Sequence, residues 1–247
     1  MPRTANPLDL KIHKNQTAAM QSILLLVSRG YRFHTGGSVD TPKAPSLVRK
    51  FDERYDVIKS HQTKATRKRE GQPAATLVMH PAVGGHRLDW ALLATGALEG
   101  ELMRDALNPA ERLRWTDKYV LLQKPRTGNG LGWTWCMEGK YLNDLESRFV
   151  FAGRKGSSHE LQALIDITTN MPMFNGVREN LKKARRRGIE VFRKQNPRAE
   201  FPDPRPLPSM TRRIQGYDNP PLTLGTLLEA RLHRLEALQK TLDENCV

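Results

Sequence analysis

Thr76-Leu77-Val78-Met79, then Pro81 and Gly84-Gly85, then Arg87-Leu88-Asp89-Trp90-Ala91-Leu92-Leu93: this stretch decides the fold. Two β-prone runs flank a glycine pair, and glycines between such runs are turn chemistry, so a β-hairpin is expected. A second stretch has the same form. Tyr119-Val120-Leu121-Leu122-Gln123 and Trp133-Thr134-Trp135-Cys136-Met137 flank Gly128-Asn129-Gly130-Leu131-Gly132. Four strands joined in this way predict an antiparallel sheet with helices on one face. The expected fold class is α+β: an antiparallel sheet built from two hairpins with flanking helices, plus a C-terminal helix.

Upstream of the first hairpin, Leu8, Leu10 and Ile12 alternate with Asp9, Lys11 and His13, the period of a short strand. Asn15 can cap a helix carrying Ala18, Ala19, Ile23, Leu26 and Val27, with Gly30 just past its end. Tyr31 to His34 alternates again before Gly36-Gly37 breaks the chain. Pro45 opens a second amphipathic helix with Leu47, Val48, Phe51, Tyr55 and Ile58, and it runs into Lys64, Arg67, Lys68 and Arg69. Between the hairpins, Glu99 to Trp115 reads as a helical segment interrupted at Pro109.

Downstream the pattern is helical from Lys140 to Gln195. Tyr141, Leu145 and Phe149 begin it, Ser157 offers a cap before Leu161, Leu164 and Ile165, and Pro172 interrupts. Val177, Leu181, Ala184, Val191 and Phe192 mark one more helix, with Gly188 a weak point inside it. Seven prolines between Asn196 and Pro221 exclude helix and central strand. Leu224, Leu228, Leu232, Leu235, Leu238 and Leu242 then mark a C-terminal amphipathic helix. The expected organisation is a basic body over 1–195, a proline-rich linker or strap over 196–222, and a terminal helix over 223–247.

The 247 residues hold 40 Lys and Arg against 26 Asp and Glu, a net charge of +14 and a pI near 10.1. Such an excess repels itself in a folded chain unless a polyanion relieves it. Nucleic acid is the commonest relief. Cys136 and Cys246 make neither a disulfide framework nor a four-thiolate zinc site. The first residues carry no apolar leader, and the longest apolar stretch, Ile23 to Val27, is far short of a membrane span. A cytoplasmic protein with no membrane partner is expected.

The strongest candidate interface is the run Arg178, Lys182, Lys183, Arg185, Arg186, Arg187, Arg193 and Lys194, opposed only by Glu179 and Glu190. Arginine forks match phosphate oxygens, and a helix presents them in register. The alternative is a solvated surface helix. Lys64, Arg67, Lys68 and Arg69 form a weaker run, suited to non-specific affinity. Lys124 and Arg126 flank the glycine-rich loop, which either admits a sugar-phosphate backbone or is a plain hairpin tip. Trp133 and Trp135 share one strand face, where they either stack unpaired bases or fill the core. His80, His86 and Asp89 match no standard zinc spacing, so no metal and no cofactor are expected. His34, with Arg29 and Arg32 beside it, is the candidate catalytic group. A histidine taking a proton from a 2′-hydroxyl, with arginines on the phosphate, suffices for metal-free RNA cleavage; a satisfied loop histidine is the alternative.

Arg29-Gly30-Tyr31-Arg32-Phe33, Leu47 to Tyr55, His80-Pro81 leading to Trp90-Ala91-Leu92-Leu93-Ala94-Thr95, Trp133-Thr134-Trp135 and Met173-Phe174-Asn175-Gly176-Val177-Arg178 together resemble a loose family. Its members are basic accessory proteins carried on proteobacterial plasmids and integrative elements. The resemblance spans roughly residues 18–195; Cys136 stands where that pattern has arginine. It implies a mobile-element setting and no mechanism. The expected function is therefore nucleic-acid binding, DNA or RNA, through the phosphate backbone. Two alternatives stand beside it. One is a metal-independent endoribonuclease similar to the repeat-cleaving proteins of CRISPR systems. The other is a structural adaptor that meets a protein partner, or a second copy, through 224–242.

Overall fold

A computed structural model describes residues 6–125, 130–198, 207 and 222–245. The chain divides into two compact units, Met1–Glu111 with Ile214–Val247, and Arg112–Arg213. The boundary at Glu111 falls inside the stretch that the sequence presents as one body; most of 196–222 lies outside the described residues. The architecture is α+β with antiparallel sheets and a C-terminal helix, and both hairpins form. Each hairpin belongs to its own sheet, so the four strands do not make a single one.

In the first unit the strands are β1 (Phe33–Asp40), β2 (Ala75–Pro81), β3 (Arg87–Ala94) and β4 (Arg104–Asp105), ordered β2-β3-β1-β4 and antiparallel throughout. Leu77 pairs with Leu92 and Met79 with Trp90, so these side chains share one face. That face meets Val48, Phe51 and Tyr55 of helix α2 (Ala44–Tyr55) in a dry core. Helix α1 (Gln16–Ser28), capped by Asn15 Oδ1 accepting from the Ala18 N–H, lies against β2 and β3. Pleating turns Val78, Ala91 and Leu93 away from the α2 side, so both faces of this hairpin are buried.

Four local expectations need correction here. Gly36-Gly37 does not break the chain: β1 runs through it and pairs along its whole length with β3. A Cβ on Gly36 would stand 2.8 Å from the Trp90 carbonyl oxygen, so glycine is what lets the two backbones meet. Leu8 to Ile12 is no strand but a 3-10 turn at Pro7–Asp9 followed by a single bridge from Lys11 to Thr223. The run from Lys64 does not continue α2. Asp56, in the left-handed region at φ 55, ends α2, and Ser60 caps a separate helix α3 (His61–Arg69). Glu99 to Trp115 is loop with short strands, not helix; Asn108 and Asp105 side chains bond nearby backbone N–H groups and favour turns there.

The second unit holds β5 (Arg114–Trp115), β6 (Tyr119–Pro125) and β7 (Leu131–Met137) in that order, then α4 (Gly139–Lys155), α5 (Ser158–Thr169) and α6 (Asn175–Gln195). Helix α6 packs on β7 and on α4, and α5 packs on both helices. Gly188 is no weak point. A Cβ on Gly153 would lie 2.5 Å from the Gly188 carbonyl oxygen, and one on Gly188 would lie 3.0 Å from Phe149. The two glycines let α4 and α6 cross with their backbones in contact. Helix α7 (Leu224–Asn245) closes the first unit: Leu224 is fully buried, and Leu222, Leu227 and Leu228 pack on the α2 core.

Candidate nucleic-acid interface

The positive charge is not spread evenly. The first unit has 19 Lys and Arg against 16 Asp and Glu, a net +3; the second has 21 against 10, a net +11. Most of the excess positive charge therefore belongs to the second unit, and α6 is its most basic element.

Helix α6 is amphipathic. Val177, Leu181, Ala184, Ile189 and Phe192 are buried, while Lys182, Lys183, Arg186, Arg187, Arg193 and Lys194 are exposed. At about 100° per residue these six cations fall on one face. Glu179 and Glu190 are the exposed acids of the same helix. From α4, the buried carboxylate of Glu146 reaches Lys183 Nζ at 3.2 Å and Arg187 Nη1 at 3.3 Å, which holds both cations in place. One negative charge against two positive leaves that cluster cationic. Helix α4 carries exposed Arg148, Arg154 and Lys155; Phe149 to Gly153 separate the first from the adjacent pair, so the sequence shows no long run of charge there.

Several residues of the predicted set turn inward or are tied down. Arg185 is 5% exposed and donates from Nη2 to the Ile165 carbonyl at 2.7 Å and to Thr168 Oγ1 at 2.9 Å. It joins α6 to α5 and is not a phosphate ligand. Arg178 is half-buried. On β6, Lys124 forms an ion pair with Glu179, whose hydrogen bond holds the ammonium pKa above its ordinary value. Arg126 lies outside the described residues. Trp135 is fully buried and belongs to the core, so it offers no stacking face; Trp133 on the same strand is half-buried.

The run on α3 is mostly occupied. Lys64 is 8% exposed and donates to the Val57 carbonyl at 2.8 Å and Thr76 Oγ1 at 3.3 Å, which removes it from any phosphate surface. Burial pulls its pKa down to about 8. Arg67 pairs with Asp56. Lys68 lies 4.3 Å over the Tyr31 ring and donates to the Arg29 carbonyl, and Arg69 is exposed.

The His34 constellation is not an accessible site. His34 sits in the middle of a sheet, 5% exposed, and its Nε2 donates to the Glu111 carbonyl at 2.9 Å. Burial lowers its pKa. Arg29 and Arg32 are exposed, and Arg32 Nε lies 3.4 Å from Asp105. The imidazole cannot reach a 2′-hydroxyl in solvent, so it is a structural histidine. His80 Nδ1 lies 3.9 Å from Asp89 across β2 and β3, whereas His86 meets Arg231. Among the described residues no three His, Cys, Asp or Glu side chains converge as metal ligands would. No protein-family model matches this chain, and neither a curated protein nor a solved structure was found to be similar to it.

Proposed function

We propose that this is a nucleic-acid-binding protein that grips the phosphate backbone through the exposed face of α6. The observation that carries this reading is the alignment of Lys182, Lys183, Arg186, Arg187, Arg193 and Lys194 on one rigid helix face, in the unit that holds most of the excess charge. Side chains anchored on a helix meet successive phosphates without ordering a loop first. Contacts of this type carry little sequence information and release counterions as they form. Among the described residues no helix is long and apolar enough to cross a membrane; the cytoplasm is the proposed setting. Fluorescence anisotropy with a labelled duplex and a labelled RNA hairpin tests the proposal. Affinity should fall steeply as salt is raised; absence of binding to both, or affinity indifferent to salt, overturns it.

A second reading has its own observation. Leu232 and Leu235 on α7 are 57% and 52% exposed, beyond the turn that Leu224 anchors. With Leu228 they continue the a/d spacing of a helix seam. On this reading α7 pairs with a second copy of the chain. Light scattering of the parent and of L232E/L235E tests it: a halving of mass in the variant supports pairing, and equal monomer masses refute it.

A further inference from the structure

Helix α4 carries an exposed aromatic residue that the phosphate contacts leave unexplained. Phe151 is 58% exposed, whereas the neighbouring Phe149 is fully buried. The Lys155 ammonium lies over the ring, and the exposed part of the phenyl adjoins the apolar groove that exposed Ile167 also lines, so it belongs to a patch and is not a lone surface residue. Phe151 stands on a ridge between two grooves of the second unit. One, of about 570 Å³, runs between α4 and α5 and is walled by Ala152, Ala163, Leu164 and Ile167, with Ile167 itself 59% exposed. The other, of about 510 Å³, runs between α4 and α6 and carries Asn143, Arg154 and Arg187, with Glu146 as the one carboxylate against the two arginines. One side of the ridge is therefore apolar, and the other is polar and cationic.

We infer that Phe151 is a stacking platform for an unpaired base, so that the polymer bound by this unit is single-stranded at this point; this rests on the nucleic-acid reading given above. Each groove is large enough for a nucleotide. The apolar groove suits the face of a base. In the other groove Arg154 suits the phosphate that follows; Arg187, held by Glu146, and Lys155, held by Glu160 with its Nζ 4.9 Å from the ring centroid, border it. Cations bordering an apolar, aromatic ridge complement a strand that alternates phosphate with base. A duplex keeps its bases stacked inside and has no face to offer the ring, so an aromatic side chain beside a basic groove is the arrangement that tracks single strands. The helical face of α6 alone does not distinguish the two. Trp133 and Trp135, the aromatics most visible in the sequence, are not the platform: one is half-buried and the other fully so.

The test is anisotropy with two fluorescent probes of equal length, an oligo-dT single strand and a mixed-sequence duplex, using the full chain. The variants are Phe151→Ala, Phe151→Leu and Phe151→Tyr, all at an exposed position where folding is checked by thermal melting. Phe151→Ala and Phe151→Leu should weaken single-strand binding about 5- to 100-fold and leave duplex binding within about twofold. Phe151→Tyr should restore the single strand. Leucine separates stacking from mere apolar contact, since it keeps the bulk and loses the ring. Equal single-strand affinity in the parent and Phe151→Ala overturns the inference while salt-dependent binding by α6 stands, and it leaves the ridge to an apolar helix of a protein partner. An equal loss for both probes overturns it as well. If the parent binds neither probe at any salt, nor the labelled RNA hairpin, the nucleic-acid reading itself fails, which is a different result from either.

Discussion

Arg185 Nη2 donates to the carbonyl oxygen of Ile165 at 2.7 Å, so an arginine in the middle of a basic run is spent on joining two helices. Its neighbours Arg186 and Arg187 point outward. Arg185→Ala removes two buried hydrogen bonds: the Ile165 carbonyl keeps the Thr168 hydroxyl as a donor, but Thr168 Oγ1 loses the donor it accepts from. A loss of about 1–3 kcal/mol in unfolding free energy is expected, whereas Arg186→Ala should stay within about 0.5 kcal/mol. Urea denaturation separates them, and equal midpoints would contradict the assignment of Arg185.

Gly188→Ala should cost about 1–3 kcal/mol by overpacking. The added methyl meets Phe149 at 3.0 Å, and helix backbones that already touch have little room to yield. Elsewhere on a helix the same substitution is favourable, because alanine is the better helix former. A rise in melting temperature for Gly188→Ala would show that α4 and α6 do not cross as closely as described.

What the sequence disclosed followed the reach of its signals. Gly84-Gly85 and the glycine-rich stretch Gly128 to Gly132, each between β-prone runs, located the two hairpins, and Asn15 and Ser157 cap the helices that follow them. Which strands join which sheet was not legible, because β1 pairs with β3 across separations that run from Asp40–Arg87 to Phe33–Ala94, far beyond any local signal. The same long-range pairing turned Gly36-Gly37 from an apparent break into a strand centre. The basic run on α6 was visible as composition, but the inward turn of Arg185 follows from helical phase and a partner on α5. Phe151 carried no signal, since an aromatic residue beside Phe149 reads as core until burial separates the two.

Lys64 gives a pH signature. Its folded pKa, about 8, lies below the ordinary 10.5. Between those values the unfolded chain holds the extra proton, so stability rises with pH; below about 8 both states are protonated and the cost of the buried charge is carried in full. Relative to Lys64→Met, the parent should gain up to about 1.4 kcal/mol per pH unit across that window. Urea midpoints of the two proteins from pH 7 to 10 check this, and parallel curves would contradict it.

The root of α7 should matter to stability more than its outer turns. The Leu224 N–H bonds the Leu10 carbonyl, the Ile12 N–H bonds the Leu222 carbonyl, and Leu224 is buried in the α2 core. Leu224→Ala is expected to cost about 2–5 kcal/mol. Leu235→Ala, at an exposed position, should change the melting temperature little. Thermal melts of both decide it, and equal losses would mean that the outer turns are packed as tightly as the root.

The outer face of α6 carries the proposed function, and the salt dependence of K182A/R186A/R193A tests that role most directly. Each phosphate contact adds about 0.9 to the slope of log affinity against log salt for duplex DNA. The triple variant should keep the parent's melting temperature, bind more weakly at low salt, and show a slope shallower by about 0.9 for each contact removed. A variant that binds as tightly as the parent, with the same slope, would contradict the assignment of this face to nucleic acid.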